Sequence, residues 1–399
     1  MRRKGFSILL VALLISNLLF GCQNSKSAEA QAPAVSKAVT QSTASTVQSK
    51  EPDSKAEIIM IGDMLLHDNL SACGRKADGS YNYDHFFKNV KDITKGADLA
   101  LVNQEVIIGG RELGLSGYPN FNTSYEVADA LANAGFDVVC HATNHALDMG
   151  AKGITNCLNY WKNNFPEVKT VGINASKDEQ NKICVVEKNG IKIAVLNYTY
   201  GTNGHTLPAG MPYAVNYINK DTIAKDVSKA KALADFVIVA PHWGVEYTHT
   251  ENKEQKELAK YMANLGVDLI IGTHPHVIQP IEWVTGDDGN KTLVYYSIGN
   301  YINCSNEEGS EIADRFVGGI ADVTISKNSK GQVEITDYSA IPVISHCEGI
   351  GEENTVYLLS QYSEEKARKS FINRQTSNFN KKYLENVAKK VWGEKIKNY

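Results

Sequence analysis

The stretch GVDLIIGTHPHVIQP, residues 266–280, joins an apolar run to two histidines that are one residue apart. The apolar part predicts a buried β-strand. We expect this strand to continue into the histidines, and because strand side chains alternate between faces, His274 and His276 would then point the same way. Pro275 between them fixes the backbone and removes a hydrogen-bond donor. The pattern favours a pair of ligands for an ion, although two solvated loop histidines would have the same sequence.

Other predicted strands also end in polar side chains. They are EIIMIG before Asp63, ADLALVN before Glu105, FDVVCHA before Asn144 and His145, and DFVIVAP before His242. Ligands of open α/β sheets gather at the carboxyl ends of strands. Each residue alone also fits a turn, a helix cap or a packed side chain, but chance explains the recurrence poorly. Carboxylate, amide and imidazole groups without cysteine suit Mn, Fe or Zn, and they fit two ions better than one structural zinc.

Strand and helix patterns alternate from residue 57 onward. YEVADALANAG (125–135) predicts a helix that closes at its glycine, and KICVVEKNGIKIAVLNYTY (182–200) predicts a hairpin that turns at Asn189-Gly190. Alternating strands and helices with inserted hairpins indicate an α/β fold with mixed sheets.

The composition is that of a globular protein. The chain has 399 residues, of which 43% are hydrophobic and 22% are charged, and its net charge is -4. This weakly acidic balance gives no reason to expect a nucleic-acid partner. Besides Cys22, six of the seven cysteines remain, and none forms a C-x-x-C pair, so a thiolate metal site is not expected. These six could form disulfides or serve as small buried hydrophobes.

The N-terminus reads as a targeting segment. MRRKGFSILLVALLISNLLFGC (1–22) has a basic start and a short apolar stretch, which predicts a signal peptide, and its end resembles a bacterial lipobox. Cys22 would then carry a lipid that anchors the exported protein to the cell membrane. An uncleaved signal anchor and an ordinary cleaved signal are the alternatives. The expected remainder is a flexible polar tether (23–56), a folded domain (57–347) and a basic helical C-terminal extension on the surface (348–399).

Together the strand-end residues resemble a known family. Their order is similar to that of the calcineurin-like metallophosphoesterases and, within them, to the bacterial capsule-synthesis branch of CapA/PgsA type, which is linked to poly-γ-glutamate. The matching stretches are GDMLLHD (62–68), NQE (103–105), GYPNFN (117–122), HATNHALDMG (141–150), PHWGVEY (241–247), GTHPHVIQPIE (272–282) and YSIGNYI (296–302). The resemblance implies a four-layer αββα sandwich of metallophosphoesterase type with two divalent transition metals between its sheets.

The resemblance also implies roles for single residues. The implied metal ligands are Asp63 and His276 for one ion, Asn144, His242 and His274 for the other, and Glu105 as the bridge between them. Two such ions lower the pKa of a shared water for hydrolysis. His145 would lie beside the metals and protonate the leaving group, with Asp148 as its orienting partner.

Two departures from the phosphoesterase pattern bear on the substrate. Met64 and Leu65 replace the usual second ligand of the first strand, and Val106 follows Glu105 where phosphoesterases often place a phosphate-binding arginine. His67 is a candidate for the missing ligand. The further candidates for lining the substrate site are His67, Arg111, His205 and Tyr247.

The expected function is hydrolysis in the cell envelope. We expect an exported, membrane-tethered protein of capsule or poly-γ-glutamate synthesis that cleaves an envelope ester or amide bond. The expected partners are the polymer, subunits of a membrane synthase and, through the N-terminal lipid, the membrane. The alternatives are a polymer-handling accessory without turnover and an extracytoplasmic phosphatase or nucleotidase, and the missing arginine disfavours the latter.

Overall fold

The computed structural model describes residues 54–305, 307–349 and 351–399. The strands are β1 (Ser54–Met64), β2 (Leu99–Asn103), β3 (Val138–Cys140), β4 (Lys169–Val171), β5 (Cys184–Lys188), β6 (Ile191–Thr199), β7 (Phe236–His242), β8 (Leu269–Ile271), β9 (Ile281–Thr285), β10 (Lys291–Tyr295), β11 (Asn300–Ile302), β12 (Val317–Lys327), β13 (Val333–His346) and β14 (Thr355–Leu358). The helices are α1 (Asp68–Cys73), α2 (Lys91–Gly96), α3 (Glu126–Ala134), α4 (Gly150–Asn164), α5 (Lys177–Asn181), α6 (Lys220–Leu233), α7 (Lys253–Asn264), α8 (Glu364–Lys369) and α9 (Lys381–Trp392).

The strands form two mixed sheets. The first has the order β14-β13-β12-β1-β2-β3-β4, with β11 also paired to β1, and the second has the order β5-β6-β7-β8-β10-β9. Strands β1 to β4 run parallel, whereas β12 to β14 extend that sheet in antiparallel pairs. In the second sheet the four central strands are parallel and a hairpin closes each edge. The expected α/β fold with mixed sheets is therefore confirmed.

Alternating side chains of the second sheet face two different cores. Ile193 of β6 belongs to the same core as Ile58 of β1, whereas Leu196 of β6 packs with Ile223 of α6 and Met262 of α7. This period of two places the first sheet on one side and helices on the other. Residues 58–64 of β1 are buried throughout, and parallel strands buried on both faces need a helical cover. Helices α3 and α4 bury Val127 and Ile154 in the core that includes β1 and supply that cover, and the αββα sandwich implied by the resemblance is confirmed.

The hairpin between β5 and β6 turns where the sequence predicts. Asn189 and Gly190 have φ angles of 53° and 75°. Left-handed φ at both central residues is the requirement of a type I′ turn, which matches the twist of the flanking strands. The turn fixes the register in which Lys188 faces Ile191.

Strand β1 begins at Ser54 and pairs there with Lys327 of β12. It therefore begins three residues before the expected start of the folded domain. The signal segment, Cys22 and the tether up to residue 53 lie outside the described residues. Among the residues that are described, no helix is both long enough and apolar enough to cross a membrane.

The C-terminal segment differs from the surface helix that we expected. It contributes β14 to the first sheet, and α9 buries Leu384 and Trp392. The Trp392 indole donates to the carbonyl of Gln279 at 2.9 Å, and a Cβ at Gly319 would collide with its ring. The basic residues of α9 lie on its exposed side and conceal an apolar face that packs on the core.

The six cysteines from Cys73 to Cys347 form no disulfide with one another, and all except Cys184 are buried. Burial raises the pKa of the Cys157 thiol to about 12, so this group is an inert thiol at neutral pH. The sequence left open whether these cysteines form disulfides or serve as small buried hydrophobes, and the structure shows the latter.

Candidate metal centre

The carboxyl ends of strands from both sheets meet at one end of the sandwich. The first sheet delivers Asp63 in β1 and Glu105 just after β2, and the second delivers His242 as the last residue of β7. His242 Nε2 lies 3.7 Å from Glu105 Oε1, although the two residues belong to different sheets. Parallel strands place their carboxyl ends at the same edge, which is why distant stretches of sequence converge here.

The two histidines of THPH are not on a strand. Strand β8 ends at Ile271, and His274 and His276 have left-handed φ angles of 98° and 58°. The alternation argument is therefore wrong, although the two rings do come together, with centroids 5.9 Å apart. Side-chain-bearing residues adopt this backbone conformation at an energetic cost and concentrate at functional sites when they do. The backbone N–H of His274 donates to Asp63 Oδ2 at 3.3 Å, which helps to hold the turn.

Two trios of ligand-type side chains share Glu105. The first is Asp63, Glu105 and His276, and the second is Glu105, His242 and His274. Within each trio one ligand atom per residue lies within 4.8 Å of the others, and all five residues are buried. Asn144 Oδ1 lies 2.8 Å from His242 Nε2 and so joins the second trio. This is the grouping that the resemblance implied, with Glu105 between the two halves. Ligation itself stays a prediction.

Three buried atoms of this cluster lack a hydrogen-bond partner inside the protein. Both carboxylate oxygens of Glu105 and Nδ1 of His274 are buried without a hydrogen bond. A buried polar atom without a partner costs about 1–3 kcal/mol, and a charged one costs more. A divalent cation between these atoms would satisfy all three. The donor set of carboxylate, amide oxygen and imidazole therefore fits such ions.

Charges and burial set the protonation of the cluster. Burial raises the pKa of Glu105 well above its usual range. Burial holds the pKa of His242 and His274 well below theirs, and the neighbouring histidines lower it further. Burial also lowers the pKa of His276, but Glu105 and Asp63 outweigh it and raise that pKa to about 10. His242 and His274 are thus neutral imidazoles, the form that binds metals, whereas His276 must lose a proton to do so.

Polar side chains around the cluster orient its members. Asn103 Nδ2 donates to Asp63 Oδ1 at 2.8 Å. His276 Nδ1 lies 3.0 Å from Asn300 Oδ1 and 3.1 Å from Asp63 Oδ2, and because both oxygens accept, Nδ1 carries the proton. His276 Nε2 is then left on the side of Glu105, 3.6 Å from Oε1. Such outer contacts fix ring orientation in metal sites. Our sequence prediction omitted Asn103 and Asn300, although both lie in the quoted stretches.

His145 and Asp148 are in direct contact. His145 Nδ1 lies 2.7 Å from Asp148 Oδ2, and since a carboxylate accepts, Nδ1 is the protonated nitrogen. Asp148 is held in turn by the backbone N–H of Phe121 at 2.6 Å. The imidazole therefore has a fixed orientation with Nε2 free of this contact. The proposed acid role of His145 stays a prediction.

A cleft of about 440 Å³ opens onto the cluster. Its lining includes His145, His276, Glu246, Tyr247, Asn300 and Arg315. Glu246 also forms a third ligand-type trio with His274 and His276. Our sequence prediction omitted it, although it lies in PHWGVEY, four residues after His242. Arg315 was also omitted, and it lies beyond every matching stretch, so no motif could have indicated it.

Two other predicted lining residues lie in the same cleft. His67 packs edge-on against Phe121, with centroids 5.1 Å apart, and Tyr247 lies beside His276 at 6.0 Å. Burial lowers the pKa of His67 to about 4. His67 contacts Phe121 rather than Asp63, so the structure does not bring it into either trio that shares Glu105.

The remaining two candidates lie elsewhere. His205 is at the margin, where its Nε2 lies 3.9 Å from Asp148 Oδ1. Arg111 forms an ion pair with Glu126 at 3.1 Å and lies over the ring of Tyr81, outside the cleft lining. The structure therefore does not place Arg111 where a substrate carboxylate in the cleft would meet it.

The chain is similar to proteins of capsule biosynthesis. It is 31% identical over 218 residues to the PGA biosynthesis protein CapA of Bacillus subtilis (strain 168), an alignment that covers 54% of each chain. It is 29% identical over 257 residues to the capsule biosynthesis protein CapA of Bacillus anthracis, covering 62% of this chain and 60% of the relative. The chain thus spans less than two thirds of the length of these relatives.

Solved structures also align with this chain. One is the NAD nucleotidase of Haemophilus influenzae, with a TM-score of 0.47, 13% identity and coverage of 87% of this chain and 64% of that one. Another is the 5'-nucleotidase precursor from Thermus thermophilus, with a TM-score of 0.45, 16% identity and coverage of 84% of this chain and 59% of that one.

The family model described as bacterial capsule synthesis protein PGA_cap matches residues 57–305. This match spans more than half of the 399 residues and includes every strand end that contributes to the two trios sharing Glu105. The resemblance to capsule-synthesis proteins is confirmed, and the chain belongs to the PGA_cap family of bacterial capsule synthesis proteins.

Proposed function

We propose that this protein is a metal-dependent hydrolase of capsule synthesis that cleaves an ester or amide bond of an envelope polymer. One observation carries the proposal: Glu105, whose buried oxygens accept no hydrogen bond, is shared by two trios of ligand-type residues, and an oriented His145–Asp148 pair lies at the same open cleft. A site used only for structural stability needs the trios, but it has no use for an oriented histidine outside them.

The chain's own residues would divide the work between holding ions and moving a proton. Two divalent ions held by the trios would supply Lewis acidity and lower the pKa of a shared water. His145 would deliver a proton from Nε2 to the leaving group while Asp148 stabilises the charged imidazole. Burial of Asp63 and Glu105 keeps bulk water from competing for the ligand positions.

The substrate proposed here is a γ-glutamyl polymer. The names of the two relatives concern PGA and capsule biosynthesis, which supports a capsule polymer. Poly-γ-glutamate offers amide bonds flanked by carboxylates and carries no phosphate. Val106 follows Glu105 where a phosphate-binding arginine is usual in phosphoesterases, and this favours an amide over a phosphoester.

The proposed place of action is the outer face of the cell membrane. The N-terminal signal pattern and the Gly21-Cys22 end support export with a lipid on Cys22. Subunits of a membrane synthase are the proposed protein partners. Labelling of cells with a fatty-acid analogue tests the anchor, since Cys22→Ser should lose the label. A retained label would contradict lipidation at this residue.

Elemental analysis of the full-length chain tests the metal centre. We expect about two transition-metal ions per chain in the wild type and a nearly complete loss in His274→Ala/His276→Ala. His205→Ala is the matched control, because this half-exposed histidine contacts Asn120 and lies outside the trios, and it should keep both ions. A wild-type chain that stays empty under metal-replete conditions would contradict the proposal.

Turnover is tested with the metal-loaded protein. We expect release of γ-glutamyl fragments from the polymer and little action on simple phosphoesters. A protein that binds two ions but cleaves neither substrate would instead be a polymer-handling accessory.

A further inference from the structure

Arg315 lies in the cleft with the candidate metal ligands. Among the described residues that line this cleft, it carries the one guanidinium or ammonium group, whereas Asp68, Glu246 and Glu307 are acidic. Its side chain is 13% exposed, and its Nε is buried without a hydrogen-bond partner. A charged donor held in a cleft with an unused N–H is suited to an anionic ligand.

The guanidinium lies over an aromatic ring. Arg315 Cζ lies 3.4 Å from the centroid of the Tyr247 ring, which is a close cation–π contact. Tyr247 is itself fixed, because its backbone N–H donates to the carbonyl of Pro275 at 2.8 Å. Pro275 lies between His274 and His276, so the ring that supports Arg315 is tied to the loop of the metal cluster.

Asn300 connects Arg315 to the cluster from the other side. Its Nδ2 donates to the Arg315 carbonyl at 2.9 Å, and its Oδ1 accepts from His276 Nδ1 at 3.0 Å. One side chain thus spans the distance between the backbone of Arg315 and a candidate ligand. The Tyr247 ring that lies against the guanidinium is 6.0 Å from the His276 ring, so an anion on the guanidinium would lie close to a bond positioned at the cluster.

The Arg315 guanidinium already pairs with a carboxylate of the protein itself. Arg315 Nη1 pairs with Glu307 Oε2, and the Glu307 side chain is 59% exposed. Water and salt reach the pair on its Glu307 side and weaken it there. An incoming carboxylate can replace Glu307 at small cost, and the pair shows that the cleft accommodates a carboxylate at this position.

We propose that Arg315 binds an oxyanion of the substrate next to the scissile bond, with Glu307 holding that position until substrate arrives. The inference rests on the function proposed above and deepens it, because it specifies a substrate that carries a negative oxygen group beside the bond. For a γ-glutamyl polymer this group is the α-carboxylate, and the same chemistry would accept a phosphate.

Calorimetric binding to the full-length chain tests the inference, both metal-loaded and metal-free. The probes are γ-glutamylglutamate, the same dipeptide with its carboxylates converted to primary amides, and inorganic phosphate. Arg315→Gln should weaken binding of the charged dipeptide by about tenfold or more, and Arg315→Lys by less. Glu307→Gln should tighten it several-fold, since the internal competitor is removed. The amide form should bind weakly to every variant.

Arg111→Gln is the matched control, because Arg111 also pairs with a glutamate but lies outside the cleft lining. It should bind the dipeptide like the wild type. Arg315 is in neither trio, so Arg315→Gln should weaken dipeptide binding in the metal-free chain as well. This binding difference should be present even if no substrate is turned over. The binding test can therefore succeed or fail independently of the test of hydrolase activity. Equal binding by wild type and Arg315→Gln, or no binding of either anion by the wild type, would overturn the inference. If Arg315→Gln weakens the binding of phosphate alone, the oxyanion that Arg315 binds is a phosphate and not a carboxylate.

Discussion

His141 and His274 are both buried histidines, but their ring nitrogens meet different surroundings. His141 Nε2 accepts from the Trp161 indole at 3.1 Å within the core, whereas His274 Nδ1 has no partner. Burial lowers the pKa of both, that of His141 to about 3. Burial and a lowered pKa therefore do not distinguish a metal ligand from a core histidine. The unpartnered nitrogen of His274 is informative because it lies in a trio with Glu105, whose oxygens also lack hydrogen bonds, whereas His85 has two unpartnered ring nitrogens and belongs to none of the trios.

The largest effect expected from this comparison concerns Glu105. Glu105→Gln removes the carboxylate that both trios share, so both ions should be lost and turnover should fall to the uncatalysed background. The metal-free variant should be at least as stable as the metal-free wild type, because the buried Glu105 oxygens accept no hydrogen bond there and an amide is less costly to bury than a carboxylate. Elemental analysis and denaturant unfolding check the two parts. Retention of both ions would contradict the bridging role of Glu105.

The next effect separates proton transfer from metal binding. His145→Ala should lower kcat by about 10²–10⁴-fold, the usual contribution of general acid–base catalysis, while the metal content stays at the wild-type value. Steady-state kinetics on the metal-loaded variant provides the measurement. If turnover is unchanged, His145 is not the proton donor.

The third effect concerns His141, the core histidine of the comparison. His141→Ala should lower the free energy of unfolding by about 3 kcal/mol, because it leaves a cavity and an unpaired Trp161 N–H. Both ions should remain bound, since His141 is in neither trio. Loss of metal at wild-type stability would reverse the roles assigned to the two kinds of histidine.

The smallest effect is the pH dependence of the stability difference between the wild type and His141→Ala. Below pH 6.5 the unfolded chain protonates His141, whereas the folded chain keeps it neutral until about pH 3. The stability that His141 confers is therefore present above pH 6.5 and is lost as the pH falls, by about 1 kcal/mol per pH unit. Unfolding curves of wild type and His141→Ala should converge between about pH 6.5 and pH 4.5. Parallel curves would contradict a neutral buried imidazole.

The strand ends of the cluster could be predicted because parallel strands and polar termini leave a clear pattern. The local backbone of THPH could not, since left-handed φ at His274 and His276 depends on contacts with Asp63 and the β8 end rather than on neighbouring residues. The same limit applies to arginine. Arg111 and Arg315 look alike in sequence, and the fold alone turns one toward Glu126 and the other onto Tyr247.

The C-terminal segment shows a second limit. Its basic composition suggested a solvated surface helix, but Leu384 and Trp392 bury the opposite side of α9. Charge counts average over the helix, whereas packing depends on which face carries the apolar side chains. If the two faces of α9 are considered separately, the apolar face predicts that the helix packs on the core, although not that it contacts Gln279.

Strand β1 sets the orientation of the cleft relative to the start of the fold. It enters at Ser54 and reaches Asp63 nine residues later, which corresponds to about 30 Å of extended chain. A solid support coupled through residue 54 would therefore hold the protein by the end of β1 opposite the cleft, which leaves the cleft free to take up a polymer from solution.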